Sequence, residues 1–239
     1  MGGLHSPLQN HLLASMQDAS LERLRPHLAL MSLARGQVLY EAGARMSHFY
    51  FPTTCIVSLV YALANGASAE IAVIGKEGLV GVSLLMGGDT ATSRAIVQSP
   101  GYAYQLPVRM LKHEFQRGGA TQELLLRYAQ VLLTQAAQAA VCNRHHSVDQ
   151  QLCRRLLLSL DRMLSNELMM TQELIASMLG VRREGITEAA GRLQDAGMIE
   201  YRRGRIRVLD RPALQSRCCE CYAVVKAESE RLLAHTGTY

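Results

Sequence analysis

The sequence predicts an α+β chain in three parts: an N-terminal antiparallel β jelly roll, a long dimerisation helix and a C-terminal winged helix-turn-helix. Three observations lead there. Residues 28–106 run in short alternating stretches broken by glycine turns, residues 121–143 repeat apolar positions at steps of three and four, and residues 171–209 place two short helices ahead of an arginine-rich hairpin. The divisions fall at 1–118, 119–146 and 147–239.

Length and composition agree with this. A chain of 239 residues suits two modest domains. A hydrophobic fraction of 49% supplies folded cores, and with no Trp those cores are largely aliphatic. No apolar run reaches membrane-spanning length, and Met1-Gly2-Gly3-Leu4-His5 has no basic region leading into an apolar core, so the expectation is a cytoplasmic protein with no membrane partner. The net charge of +5 is mild. Lys76, Lys112 and Lys226 are the only lysines; the other basic residues are arginine, whose planar fork suits phosphates and guanine edges, although genomic composition explains the bias equally well. Cys55, Cys142, Cys153, Cys218, Cys219 and Cys221, without a secretory signal, read as reduced thiols.

Residues 1–27 form a helical lead-in with Leu21 and Leu24 on one face, ahead of Pro26. Strands follow at 37–41, 48–51, 56–63, 69–74, 94–98 and 102–106, with Asn65-Gly66 as the clearest hairpin signal. Turns fall at Gly43, Gly75–Gly78 and Gly87-Gly88-Asp89. In the long helix Leu125, Tyr128, Leu132, Gln135, Ala139 and Cys142 make a heptad seam, assigned to the dimer interface; Leu126, Leu133 and Ala140 mark a second apolar stripe. Ser147-Val148-Asp149-Gln150 is a capping box opening a helix that runs through Leu164.

The segment from Thr171 to Asp195 carries the functional signal. Thr171 is an N-cap, Ala176 is small enough for a helix crossing, Gly180 tolerates the positive φ of the turn, and Ile186 is placed to bury the second helix against the first. Such a unit presents its second helix to the DNA major groove. Arg182, Arg183, Glu184, Thr187 and Glu188 lie at the front of that helix, over 182–196. There Arg183 can reach guanine O6 and N7, and Glu184 can accept from cytosine N4. Thr171 and Gln172 suit phosphates. Gly185 inside the helix costs about 1 kcal/mol against alanine, and close approach of DNA would explain it. Met198–Leu209 then forms a hairpin turning near Gly204, a wing on which Arg202, Arg203, Arg205 and Arg207 neutralise phosphates. The partners implied are double-stranded DNA and a second copy of the chain.

This arrangement resembles the Crp/Fnr family of bacterial transcription regulators, from about Leu21 to Leu209. The most specific part is Gly180-Val181-Arg182-Arg183-Glu184 running to Asp195-Ala196-Gly197-Met198-Ile199. The resemblance implies a cyclic-nucleotide-binding-like roll, RNA polymerase as a partner, and a base-reading Arg-Glu pair at Arg183 and Glu184. Glu188 stands where a cAMP-responsive member has another arginine. An effector pocket is implied at Gly81, Val82, Ser83, Ser93 and Arg94. In it Val82 replaces the family's ribose-binding glutamate, and Arg94 is displaced by one residue from the phosphate-binding position. The expectation is a nucleotide-type effector or none, and not cAMP; the residues specify no further cofactor.

The remaining constellations point elsewhere or nowhere. Cys218-Cys219-Glu220-Cys221 invites a metal or thiol sensor, an alternative that makes DNA binding its readout. The default is packing or surface thiols with no metal, and the same applies to Cys142 and Cys153. His145 and His146 read as structural or solvent-facing. No nucleophile motif or phosphate-cradling loop marks an enzyme. A third reading makes the winged helix a protein-contact module.

Overall fold

The computed structural model describes residues 5–163 and 165–233. Leu164, the expected end of the helix after the capping box, lies outside them, as do residues 1–4 and 234–239.

The lead-in is broken into short helices at His11–Ala14 (α1) and Asp18–Leu24 (α2), with Leu21 and Leu24 buried. The roll is built of Ala29–Leu33 (β1), Val38–Tyr40 (β2), His48–Pro52 (β3), Ile56–Ala62 (β4), Ser68–Ile74 (β5), Arg94–Ser99 (β6) and Gly101–Pro107 (β7). All pairings are antiparallel, in two sheets ordered β1-β7-β3 and β2-β6-β4-β5. Alternation sets the faces: Phe49 and Phe51 from one sheet and Val57, Ala95 and Val97 from the other point into a shared core.

Val108–Gln116 (α3) leads into Gly119–His145 (α4), a 27-residue helix laid along the roll. Here one expectation is corrected. Leu125, Tyr128, Leu132, Gln135, Ala139 and Cys142 are all buried within the single chain, so this seam is not a surface offered to a partner. Leu125, Tyr128 and Leu132 join the core of the roll, the Tyr128 hydroxyl donates to the Leu79 carbonyl (3.0 Å), and Gln135 Oε1 accepts from Val73 N (3.3 Å). The stripe left outward is Leu126, Leu133, Ala137, Ala140 and Val141, with Leu126 and Leu133 at 50% and 58% exposure. Burial of one seam and exposure of the next, two faces of one helix, is what a helix between a core and a second body requires.

The second half comprises Val148–Leu160 (α5), Glu167–Met169 (β8), Gln172–Leu179 (α6), Arg183–Asp195 (α7), Ile199–Arg202 (β9), Arg205–Val208 (β10), Arg211–Arg217 (α8) and Glu220–Leu233 (α9). The capping box opening α5 is complete, Ser147 Oγ accepting from Gln150 N and Ser147 N donating to Gln150 Oε1. Helix α9 turns back to pack along α4.

The two halves are joined by buried charge. Arg155 on α5, 1% exposed, places Nε 2.9 Å from Glu70 Oε1 and Nη2 3.0 Å from Glu70 Oε2 on β5. Its remaining donors reach Ser159 Oγ (2.8 Å) and Gln98 Oε1. Arg162 Nε meets Glu77 Oε1 at 2.7 Å, and Ser177 Oγ of α6 lies 2.7 Å from Ser68 Oγ of β5.

Candidate nucleic-acid interface

Helix α6 starts at Thr171, whose Oγ1 accepts from Leu174 N at 3.2 Å, and stops at Gly180 in the left-handed region (φ +67°). A Cβ there would be strained, so glycine is what lets the chain reverse into α7. Ile175, Ala176 and Leu179 pack on Ile186, Ala189, Ala190 and Leu193, all buried, which fixes the outer face of α7. Arg182 is the N-cap residue rather than part of the first turn and makes no side-chain cap.

The expected reading residues separate on two sides. Arg183 and Thr187, with Gly191 and Gln194, line a cleft of about 600 Å³ that also takes in Thr171, Gln172, Tyr201 and Arg203. Arg182, Glu184 and Glu188 are exposed outside that cleft; Glu188 Oε2 lies 3.8 Å from Arg192 Nη1 on its own helix. Thr187 Oγ1 donates to Gln172 Oε1 (2.8 Å), tying the two helices together. Helix α7 is also held to α5 by Arg192, whose Nη2 and Nε contact the Asp149 carboxylate at 2.6 and 3.0 Å, with Arg217 on the same group at 3.2 Å. Hydrogen bonds from Arg192, then Arg217, hold the Asp149 carboxyl below its ordinary range despite its partial burial.

The wing turns on Arg203 and Gly204, both at positive φ (+47° and +76°). Such a two-residue turn matches the twist of its strands, and left-handed Arg203 is a position usually held by glycine or asparagine. Arg203 thereby projects into the cleft. Arg202, Arg205 and Arg207 do not join it. They lie on the outer face of the three-stranded sheet β8-β10-β9, where Arg202 and Arg207 meet Glu200 at 3.1 and 2.5 Å and Arg205 meets Glu167 at 3.3 Å. Among the described residues the wing arginines therefore divide into Arg203, with no carboxylate partner, and three cations matched to carboxylates. The Tyr201 hydroxyl, pushed up to about 12 by burial, donates to the Met170 carbonyl (2.8 Å) and fastens the wing beside Thr171.

Gly185 does not face the cleft. A Cβ there would sit 3.9 Å from Val148 Cγ2, an ordinary contact, so DNA proximity does not account for it. Gly185→Ala should raise stability by about 1 kcal/mol, measured by chemical denaturation, with operator affinity unchanged. Gly191, with open space at its Cβ position inside the cleft, is the glycine a groove would crowd.

In the roll, Gly81 is left-handed (φ +105°) and Val82 and Ser93 are buried, while Ser83 is partly so. Ala95 points into the core and its neighbour Arg94 points out, with Nε 3.2 Å from Glu41 Oε1. The five effector-pocket residues thus do not converge: Arg94 is on the outside.

The thiols hold the largest departure. Cys142 at the end of α4, His146 just after it, and Cys219 and Cys221 at the start of α9 bring their ligand atoms within 4.8 Å of one another. Cys218 is turned toward the Gln150 carbonyl, and Cys153 belongs to the helix-turn-helix core. Cys142 and His146 are 73 or more residues from the Cys219 pair, so spacing alone gave no signal.

Residues 150–217 match the Crp-like helix-turn-helix domain and residues 30–117 the cyclic nucleotide-binding domain. Among curated proteins, none matches. Solved structures share the fold at low identity. A protein of Eubacterium rectale assigned to the crp/fnr family superposes with TM-score 0.68 at 16% identity, over 86% of this chain and 96% of that one. FixK2 of Bradyrhizobium japonicum gives 0.67 at 16%, over 80% and 98%. CLP of Xanthomonas campestris, described as a c-di-GMP-responsive global regulator, gives 0.61 at 16%, over 80% and 99%.

Proposed function

We propose that this chain, which belongs to the Crp/Fnr family of transcription regulators, reads an inverted-repeat operator as a homodimer. The observation that carries the reading is the cleft where Arg183, Thr187 and Gln194 of α7 open beside Arg203 of the wing. A recognition helix with its polar face outward and a cationic turn at its flank fits a major groove and the adjoining phosphates. Thr171 and Gln172 contact phosphate, Arg183 reads a base, and Arg182 and Glu184 bind at the margin of the same groove. Contact with RNA polymerase follows from family membership.

The dimer forms through the outward stripe of α4, Leu126, Leu133, Ala137 and Ala140, which repeats at heptad spacing. Leu133→Glu places an unpaired carboxylate in that seam, at a cost of several kcal/mol. Light scattering should then find a monomer of unchanged helicity with weakened operator binding; a Leu133→Glu dimer would move the interface elsewhere.

The effector is not cAMP, because Val82 offers no acceptor to a ribose hydroxyl and Arg94 is paired outside the roll. The Xanthomonas protein is described as c-di-GMP responsive, so cyclic dinucleotides are the nucleotide class to test. The deciding experiment is a genome-wide footprint of the purified chain, with and without cAMP and cyclic dinucleotides. Protected inverted repeats, unmoved by cAMP, are expected; absence of any shared sequence among protected sites would refute operator reading.

A further inference from the structure

We propose that Cys142, His146, Cys219 and Cys221 form a tetrahedral zinc site joining the end of the long helix α4 to the start of α9. The three sulfurs are buried, with Cys142 Sγ 3.6 Å from Cys219 Sγ and Cys221 Sγ 3.6 Å from His146 Nδ1. A tetrahedral ion with Zn–S near 2.3 Å and Zn–N near 2.0 Å has ligand–ligand edges of roughly 3.5–3.8 Å. The four ligand atoms, all within 4.8 Å of one another, are close enough to share one ion. They are too close together to hold a multi-iron cluster, whose protein ligands sit on different irons.

The surroundings are those of a metal site rather than a patch of core thiols. His146 turns Nδ1 to the sulfurs and Nε2 to Glu220 Oε2, 3.3 Å away, so a carboxylate fixes the ring with the correct nitrogen inward. Gln151 Nε2 donates to the carbonyls of His146 (2.9 Å) and Cys142 (3.4 Å), holding the chain segment that carries both ligands. Arg154 is 6% exposed, and its Nε has no hydrogen-bond partner among the described residues. Its charge acts on Cys142 and Cys221. One divalent ion with three thiolates and a neutral imidazole carries a single negative charge, the counter-charge that guanidinium lacks. Four protein ligands and no open position make the site structural, not catalytic.

The test reads metal without DNA, so its result is independent of operator binding. The full chain, produced in zinc-supplemented medium and purified without chelator, should contain about one zinc per molecule. Cys219→Ser and Cys221→Ser should each lower zinc affinity by at least about tenfold, while Cys55→Ala in the roll retains the metal. Should the serine variants fail to fold, cobalt titrated into chelator-stripped native chain gives the second reading: thiolate-to-cobalt charge-transfer absorption saturating at one equivalent supports the site. Native chain that holds no zinc and takes up no cobalt overturns it. So does zinc undiminished in both variants, or a Cys142–Cys219 disulfide in the freshly purified chain.

Discussion

Glu70→Ala should destabilise the chain by about 3–5 kcal/mol, the cost of stranding a buried cation. Arg155 is almost without solvent, and burial already pushes its guanidinium below its ordinary range. With Glu70 gone, the acceptors left among the described residues are Gln98 Oε1, Ser159 Oγ and Met178 Sδ, and none carries charge. At roughly 2–4 °C per kcal/mol for a chain of this size, the midpoint should fall by about 6–20 °C. The double replacement Glu70→Leu with Arg155→Met removes both charges and should restore most of the loss. Thermal denaturation of the three proteins decides it: a single-variant loss below about 1 kcal/mol would mean that water reaches the pair.

Arg183→Ala should lower affinity for the operator by about 1–3 kcal/mol, roughly 5- to 150-fold, and leave non-specific binding nearly intact. Arg183 can make two hydrogen bonds to one guanine, and alanine leaves those base edges unmatched. Arg203→Ala should behave differently, weakening all sequences alike and reducing the salt slope by about one. Arg205→Ala should do less than either, because Glu167 already partners that cation in the free protein. Fluorescence anisotropy on operator and scrambled duplexes across a salt series separates the three. Equal loss on both duplexes for Arg183→Ala would remove it as a base reader.

Most of the fold is legible in the sequence because its periods are strong. Six strands of the roll fall where glycine turns and alternation place them, and the Asn65-Gly66 hairpin joins β4 to β5 as expected. Strand β1 is missed since Ala29–Leu33 lies half-exposed and does not alternate cleanly. Strand β8 has only three residues, too short to show a period. The long helix falls where its period places it, but the seam expected to face a partner is the one buried within the chain. Leu125–Cys142 and Leu126–Ala140 both satisfy a heptad, and only the position of the roll tells which is inside. Helix α9 adds to this by covering α4 near Cys142, a contact between residues far apart in sequence. The same distance hides Arg155–Glu70 and the thiol cluster. In the candidate interface, the turn at Gly180 and the outward placement of Arg183 and Thr187 are legible from local spacing. The pairing of Arg202, Arg205 and Arg207 with Glu167 and Glu200 was not, because strand register decides which side chains share a face.

The clasp of Arg155 on Glu70 and of Ser177 on Ser68 leaves little room for a loose joint. Strand β5 and helices α5 and α6 are fastened directly, so heating should melt the roll and the helix-turn-helix half in one calorimetric endotherm instead of two. A molecule that strains β5 would then act on α6 as a lever acts on its load, without first travelling the length of α4.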